Sequence, residues 1–477
     1  MFDGASAGRG DPGGHRDRAD AARVPRAGVR DRAVRAGARA RADAERRGRG
    51  DGGARLERGG AAVRARARFR GGGAVRPAGG HDSVRGAATG LTSTLSDESS
   101  EHRAAGLGTF GARRYPPRMI RTVVWGTGNV GRAAIRAVDA HPGLELAAVL
   151  VSDPAKVGRD AGRLAGLGRD LGVVAGDDVG AVLDGRPGAV VYAASGDTRP
   201  DGALADVARA VAAGAVVVTP ALYPLYDQRN APPEFRNPVL AAVAEGGGSL
   251  FVSGVDPGWG NDVLPLLVSG LAATVDVIRC QEIFDYSTYE QEESVRELVG
   301  MGKPMEYEPP MLWPSVPTMV WGGQIRLMAR ALGAELDEIR ETLERRPLES
   351  TVKTRTMGVF EAGTQGAVRF EVQGIVGGEP RIVIEHVTRI HPSCAPDWPV
   401  PPDGAGAHRV VVEGSPRIEV TVAATDEGEN RSAGGNATAV GRLVGAIDWL
   451  VAAEPGLYDA LDVPLRPAVG KLGRRPR

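Results

Sequence analysis

The stretch Ile120-Arg121-Thr122-Val123-Val124-Trp125-Gly126-Thr127-Gly128-Asn129-Val130-Gly131 decides the fold. Its first half is a short apolar run of strand length, and its second half carries glycine at the first, third and sixth places. A helical pattern over Asn129 to Ala140 follows, and a second apolar run, Leu144 to Val151, begins soon after. Strand, glycine turn and helix in that order form the context in which GxGxxG binds a dinucleotide. Gly126 permits the tight turn, Gly128 lets backbone N–H groups approach a pyrophosphate, and Gly131 allows helix and strand to pack closely. The diphosphate then meets the positive end of the helix dipole. Thr127, Asn129 and Val130 complete the loop and join the three glycines as cofactor-binding candidates.

On the C-terminal side, Val173-Val174, Gly188 to Ala194, Ala215 to Thr219 and Ser249 to Ser253 read as further strands, with a helix over Pro200 to Ala213. Strands alternating with helices predict an α/β fold, a doubly wound parallel sheet of Rossmann type over 119–262. After Gly254 the rhythm changes. A helix over Asp262 to Ala273 leads into a long strand-like run, Val275 to Tyr286, and helical stretches read at Ser294 to Val299 and Gln324 to Arg345. Runs of period two follow at Ala367 to Val376, Arg381 to Ile390, Arg409 to Glu413 and Arg417 to Ala423, with Gly377-Gly378 as a hairpin turn. An α+β domain with a mostly antiparallel sheet is therefore expected over 263–434, carrying substrate and subunit contacts. A last helix, Asn436 to Ala453, lies in the segment 435–477 and is expected to pack back on the Rossmann domain.

Residues 1–118 have another composition, rich in Arg, Gly, Ala and Asp and without Lys, Ile, Trp or Cys. They read as a disordered arm, because so few large apolar residues cannot offset chain entropy. Met119 is the first methionine after Met1, so an artefact of start-site choice is the blander expectation for this arm. The whole chain of 477 residues has 59 Lys and Arg against 59 Asp and Glu, which offers no field for nucleic acid or a membrane surface. No apolar run nears the ~20 residues of a membrane-crossing helix. Cys280 and Cys394 stand far apart, which fits a reducing cytoplasm and neither a disulfide framework nor a zinc motif.

Cofactor choice is read at the end of the second strand. There Ser152, Lys156 and Arg159 offer a hydroxyl and two cations for a 2′-phosphate, with Asp153 among them, and NADP(H) is expected in preference to NAD(H). Ala193-Ala194-Ser195-Gly196-Asp197 closes the fourth strand with small residues, so Ser195 and Gly196 are candidates beside the nicotinamide ribose.

The glycine loop, Gly158 to Gly166 (GRDAGRLAG), Gly254 to Asp262 (GVDPGWGND), Gly435-Asn436-Ala437-Thr438 and Pro467-Ala468-Val469-Gly470-Lys471 together resemble the dihydrodipicolinate reductase-like superfamily. Within it the chain is most similar to 2,4-diaminopentanoate dehydrogenase and the NAD(P)-dependent amine dehydrogenases. The resemblance runs from Met119 to about Leu472 and implies an oxidoreductase, a small-molecule substrate and a homodimer. Two departures stand out. The paired-histidine, lysine and DAPSGT-like signature of dihydrodipicolinate reductase itself is missing. Where the family's amine dehydrogenases carry a glutamate after the fifth strand, this chain reads Thr219-Pro220-Ala221-Leu222-Tyr223-Pro224.

The reacting groups are sought among side chains that can face a cleft. Tyr223 can donate to a carbonyl or imine. Glu282 and Asp285, three apart in a strand, point to opposite faces, so one of them can replace the absent glutamate. Glu385 and His386 are likewise opposed, and His386 is a candidate acid near neutral pH. Asn261 is a cleft candidate, Asp262 reads as a helix cap, and Asn436, at the start of the last helix, is placed to bind the nicotinamide carboxamide. Trp259, Trp313 and Trp321 with Met311 and Met319 suggest an apolar pocket. The leading expectation is an NAD(P)-dependent oxidoreductase moving a hydride to or from a C=N or C=O carbon of a small, fairly apolar metabolite. A non-catalytic NADP(H)-binding sensor is the alternative.

Overall fold

Val123, Val124 and Trp125 are buried because β1 (Ile120–Trp125) has a parallel neighbour on each side. The computed structural model describes residues 119–196, 199–289, 292–426, 430–468 and 470–473. The N-terminal arm and Asp197 lie outside them.

After β1 come α1 (Asn129–Ala140), β2 (Leu144–Leu150), α2 (Ala161–Leu164), β3 (Ala175–Gly176), α3 (Val179–Asp184) and β4 (Ala189–Tyr192). Then follow α4 (Pro200–Ala212), β5 (Val216–Thr219), α5 (Pro233–Gly246) and β6 (Ser249–Val252). With the late strand β15 (Leu457–Tyr458) they form a parallel sheet of order β15-β6-β5-β4-β1-β2-β3. Alternation decides what each face buries. Val124, Val149, Val191, Val218 and Phe251 pack on one side with Ile135 and Val138 of α1. Val123, Leu150, Val190, Val217 and Leu250 pack on the other with Val207 and Val211 of α4 and Val239 of α5. The third strand is Ala175–Gly176, just beyond the expected Val173-Val174.

The second lobe opens with α6 (Val263–Ser269), capped by Asp262 as expected, and β7 (Thr274–Asp285). It continues through α7 (Val316–Leu332), β8 (Glu338–Pro347), the small hairpin β9 (Val352–Thr354) and β10 (Gly358–Phe360), and then β11 (Gln365–Val376) and β12 (Glu379–Arg389). After β13 (Gly406–Ser415) and β14 (Ile418–Val422), α8 (Arg431–Ala452) returns to the first lobe. The second sheet has order β14-β13-β7-β12-β11-β8, antiparallel except where β7 and β12 run side by side. Trp321, Ile325 and Met328 of α7 pack on Ile278, Phe370, Ile382 and Ile384.

Two boundaries differ from expectation. The helix predicted to Arg345 ends at Leu332, where Gly333 adopts the left-handed conformation (φ +67), and Glu338–Pro347 is a strand. Its charged residues favour helix by propensity, but pairing with β11 overrides them, and charge suits an exposed edge. The last helix starts at Arg431, not at Asn436, because Asn430 caps it by accepting from Ala433 N at 3.1 Å. Gly434 and Gly435 stay helical, and a Cβ on Gly434 would lie 2.2 Å from the Ala424 carbonyl oxygen. Val440, Leu443, Val444, Ile447 and Leu450 then join the core beside α1.

A buried ionic clasp also joins the lobes. Asp227, in the turns after β5, accepts from Arg326 Nε of α7 at 2.7 Å, and Arg330, one turn on, reaches Asp459 at 2.6 Å. Asp227 and Asp459 are buried, while both arginines are partly exposed. Asp227→Ala is expected to lower stability by about 1–3 kcal/mol, the range for losing hydrogen bonds to charged groups. Urea denaturation measures it, and a loss within error of zero contradicts the clasp.

Candidate active site

Glycines bring the loops at the carboxyl edge of the parallel sheet into backbone contact. A Cβ on Gly131 would sit 2.0 Å from the Gly126 carbonyl oxygen, so α1 can start this close to β1 only with glycine there. Gly126 (φ +105) abuts the backbone of Ala193 and Ala194, and a Cβ on Gly196 would meet the Ala221 oxygen at 1.9 Å. The missing side chain of Gly196 therefore lets it pack on the next loop. Gly128 differs, since a Cβ there meets nothing within 4 Å. The open space lies at the N-terminus of a 12-residue helix that has no side-chain cap, which fits a diphosphate. Thr127 is buried in the loop, Asn129 opens α1, and Val130 packs on the core.

Beyond these loops lies a cavity of about 240 Å³ between the lobes. Tyr223, from the short turn after β5, and Val255, Asp256 and Pro257, from the loop after β6, form its first-lobe side. Strand register supplies the opposite wall. Glu282 of β7 lies directly across from His386 of β12 and from His408 of β13, and His386 lies across from Phe370 of β11. Phe370, His386, Glu282 and His408 are thus one cross-strand row on the face that meets α7. The residues one step along point the other way. There Glu385 is bound by Arg279, Arg369 and Gln281, a structural network on the opposite face.

Asp256 organises the row. Its Oδ1 accepts from Asn261 Nδ2 at 2.6 Å, Trp321 Nε1 at 2.6 Å and His386 Nε2 at 3.1 Å. Burial alone would raise the Asp256 carboxyl, but the charge and hydrogen bond of His386 hold it below the ordinary carboxylate range. Burial likewise opposes a charged His386, and the Asp256 carboxylate overcomes it and raises the imidazole. The His386 ring stacks on Phe370 (4.6 Å) and meets Trp321 at a tilt (4.3 Å). Tyr286 Oη donates to Glu282 Oε1 at 3.3 Å. Burial first, and then the Glu282 charge, push that phenol well above its usual range, so it remains a donor.

Of the sequence candidates, Tyr223, Glu282, His386 and Asn436 line this one cavity. Asp285 instead caps the next turn by accepting from Ser287 N at 2.8 Å. Asn261 faces Asp256 and the Gly258 amide, and Trp321 and Met311 join the lining. Ser152 and Arg159 lie exposed past β2 with Lys156 half-buried, and Ser195 sits in the loop after β4. Asp256 and His408 escaped the sequence reading. No sequence spacing groups them with Glu282, yet one ligand atom from each of Asp256, Glu282 and His408 lies within 4.8 Å of the others. The signal for His408 lay one residue away, since the strand read from Arg409 begins at Gly406.

Residues 120–219 match the family model of the dihydrodipicolinate reductase N-terminus, and residues 261–474 that of the 2,4-diaminopentanoate dehydrogenase C-terminal domain. An amine dehydrogenase of Streptomyces virginiae is 81% identical over 358 residues, which are 75% of this chain and 99% of that protein. The structure of an amine dehydrogenase from Mycobacterium smegmatis superposes with a TM-score of 0.58 at 20% identity, covering 76% of this chain and all of that one (100%). At that identity the likeness establishes the fold.

Gly128→Ala is expected to leave the melting temperature unchanged and to weaken dinucleotide binding by roughly tenfold or more, about 1.4 kcal/mol. Gly131→Ala is expected to lower both. Calorimetric titration with thermal melts separates the two, and unchanged affinity in Gly128→Ala contradicts the placement of the diphosphate. The Asp256–His386 pair also predicts a stability window. A lowered acid contributes stability that is lost as pH falls through its folded value, and a raised histidine contributes stability lost as pH rises through its own. The contribution is full between about pH 4 and 6.5, the unfolded values of the two groups. Asp256→Asn should move the His386 imidazole titration, followed by NMR, to lower pH, and an unmoved titration contradicts the pairing.

Proposed function

Because the chain belongs to the amine dehydrogenase family of the dihydrodipicolinate reductase-like superfamily and is an NAD(P)-dependent dehydrogenase, we propose that it interconverts a small, fairly apolar amine and the matching carbonyl compound. One observation carries this reading. The Glu282 carboxylate stands in a cavity otherwise walled largely by rings and apolar side chains, among them Tyr223, Tyr286, Tyr289, Met311 and Trp321. A carboxylate among aromatic faces favours an ammonium group. The volume of about 240 Å³ lies below the usual range of drug-sized pockets, which limits the carbon skeleton.

In this reading Glu282 takes the place of the glutamate missing after β5. It accepts an N–H of the substrate, receives the proton released as the amine becomes an imine, and then orients the water that adds to the imine carbon. The nicotinamide ring, when bound, supplies or accepts the hydride. Tyr286 holds Glu282, and His386, kept charged by Asp256, is the acid beside the carbonyl oxygen. Tyr223 donates from the first-lobe side, and Asn436 binds the carboxamide.

NADP(H) is the favoured dinucleotide. Asp153, the one acid at that place, turns its carboxylate onto Ala155 N at 3.0 Å and lies 4.0 Å from the Lys156 ammonium. Its repulsion is thereby reduced, and Ser152, Lys156 and Arg159 are left to a 2′-phosphate. Binding of NAD(H) by ribose hydroxyls would require Asp153 to turn outward.

Nicotinamide absorbance followed with a panel of small apolar ketones tests the proposal. Turnover is expected only with ammonium present. Glu282→Gln should lower kcat/KM by about 10²–10⁴-fold, the range for a general base, while dinucleotide affinity stays unchanged. Ketones that turn over equally well without ammonium sink the amine reading.

A further inference from the structure

We propose that Asp256, Glu282 and His408 form a site for a divalent transition-metal cation of the zinc class, whose occupancy excludes the substrate's amino group. The second half of this statement rests on the amine reading above; the first half does not.

Three observations support the site. One ligand atom from each residue lies within 4.8 Å of the others, although the residues come from the loop after β6, from β7 and from β13. His408 is only 6% exposed, lines the cavity, and its Nε2 has no hydrogen-bond partner among the described residues. A buried polar nitrogen without a partner is costly and calls for a ligand. The ring is fixed for that purpose between Trp259 (5.9 Å) and Phe284 (5.2 Å). Finally, His408 Nε2 lies 3.6 Å from Glu282 Oε2. That is too long for a hydrogen bond, yet close to the spacing of about 3.4 Å between two ligands on a tetrahedral metal with bonds of about 2.0–2.1 Å.

The donor set selects the cation. Magnesium and calcium prefer oxygen throughout, whereas one imidazole with two carboxylates suits zinc, cobalt or manganese. The three donors to Asp256 all fall on Oδ1, and none uses Oδ2. Three protein ligands leave a coordination position open to the cavity. An ammonium group and such a cation seek the same acceptors, so each displaces the other.

The test is titration of the purified full-length chain with Co²⁺, read by its d–d absorption, with Zn²⁺ as competitor. One equivalent of Co²⁺ is expected to give low-coordinate bands that Zn²⁺ abolishes. Zn²⁺ should raise KM for the amine and leave KM for the dinucleotide unchanged. His408→Gln should weaken Co²⁺ binding roughly tenfold or more, with melting temperature and dinucleotide affinity retained. If that variant fails to fold, Glu282→Gln takes its place in the Co²⁺ titration and should weaken binding to the same extent. Absence of bands, or bands that persist in the variant, overturn the metal site, and bands that saturating amine substrate leaves untouched overturn the exclusion of the amino group. Metal binding without amine turnover counts against the amine reading alone, and turnover without metal binding counts against this site alone.

Discussion

A single carboxylate oxygen, Asp256 Oδ1, accepts hydrogen bonds from its own loop, from α7 and from β12. It belongs to the loop that leaves the parallel sheet, so it ties the dinucleotide lobe to the lobe that builds the cavity. An unpaired charge in that position would be strongly destabilising, and breaking a buried pair costs about 3–5 kcal/mol. Asp256 and His386 each make the other's charge tolerable. The arrangement fixes where the second sheet sits against the glycine loops, and so where Glu282 stands.

The rest of the site follows from register. Because β7 lies between β12 and β13, the residue opposite Glu282 is a histidine on either side, and all three face α7. A shift of one residue in β7 would replace Glu282 by Gln281 or Ile283 and turn the carboxylate to the wrong face. On that other face Glu385 and its arginines hold the strands together, which leaves the cavity side for chemistry. The contacts of Gly126 with the loop after β4, and of Gly196 with the loop after β5, fix the distance from the glycine loop to the cavity.

Much of this was legible in the chain because it depends on local rules. Glycine spacing and alternating apolar runs marked the first sheet, and the odd offsets from Glu282 to Asp285 and from Glu385 to His386 separated the faces correctly. What escaped depends on distant partners. The run Glu338 to Arg346 has helical composition and becomes a strand only by pairing with β11. The last helix was expected from Asn436, whereas it already contains Gly434, whose lack of a side chain answers the close approach of Ala424. Asp256 stood unmarked inside the stretch Gly254 to Asp262, and His408 preceded the valines that marked its strand. Their meeting with Glu282 is a property of register between segments far apart in sequence.

The central claim is that a hydride donor at the glycine loops and an amine held by Glu282 meet across one cavity. Its most direct test supplies NADH or NADPH carrying two deuterium atoms at nicotinamide C4, together with a small apolar ketone and ammonium, and examines the product by mass spectrometry. An amine with one deuterium on the carbon that bears nitrogen is expected. A deuterated alcohol, or an amine without the label, would contradict it.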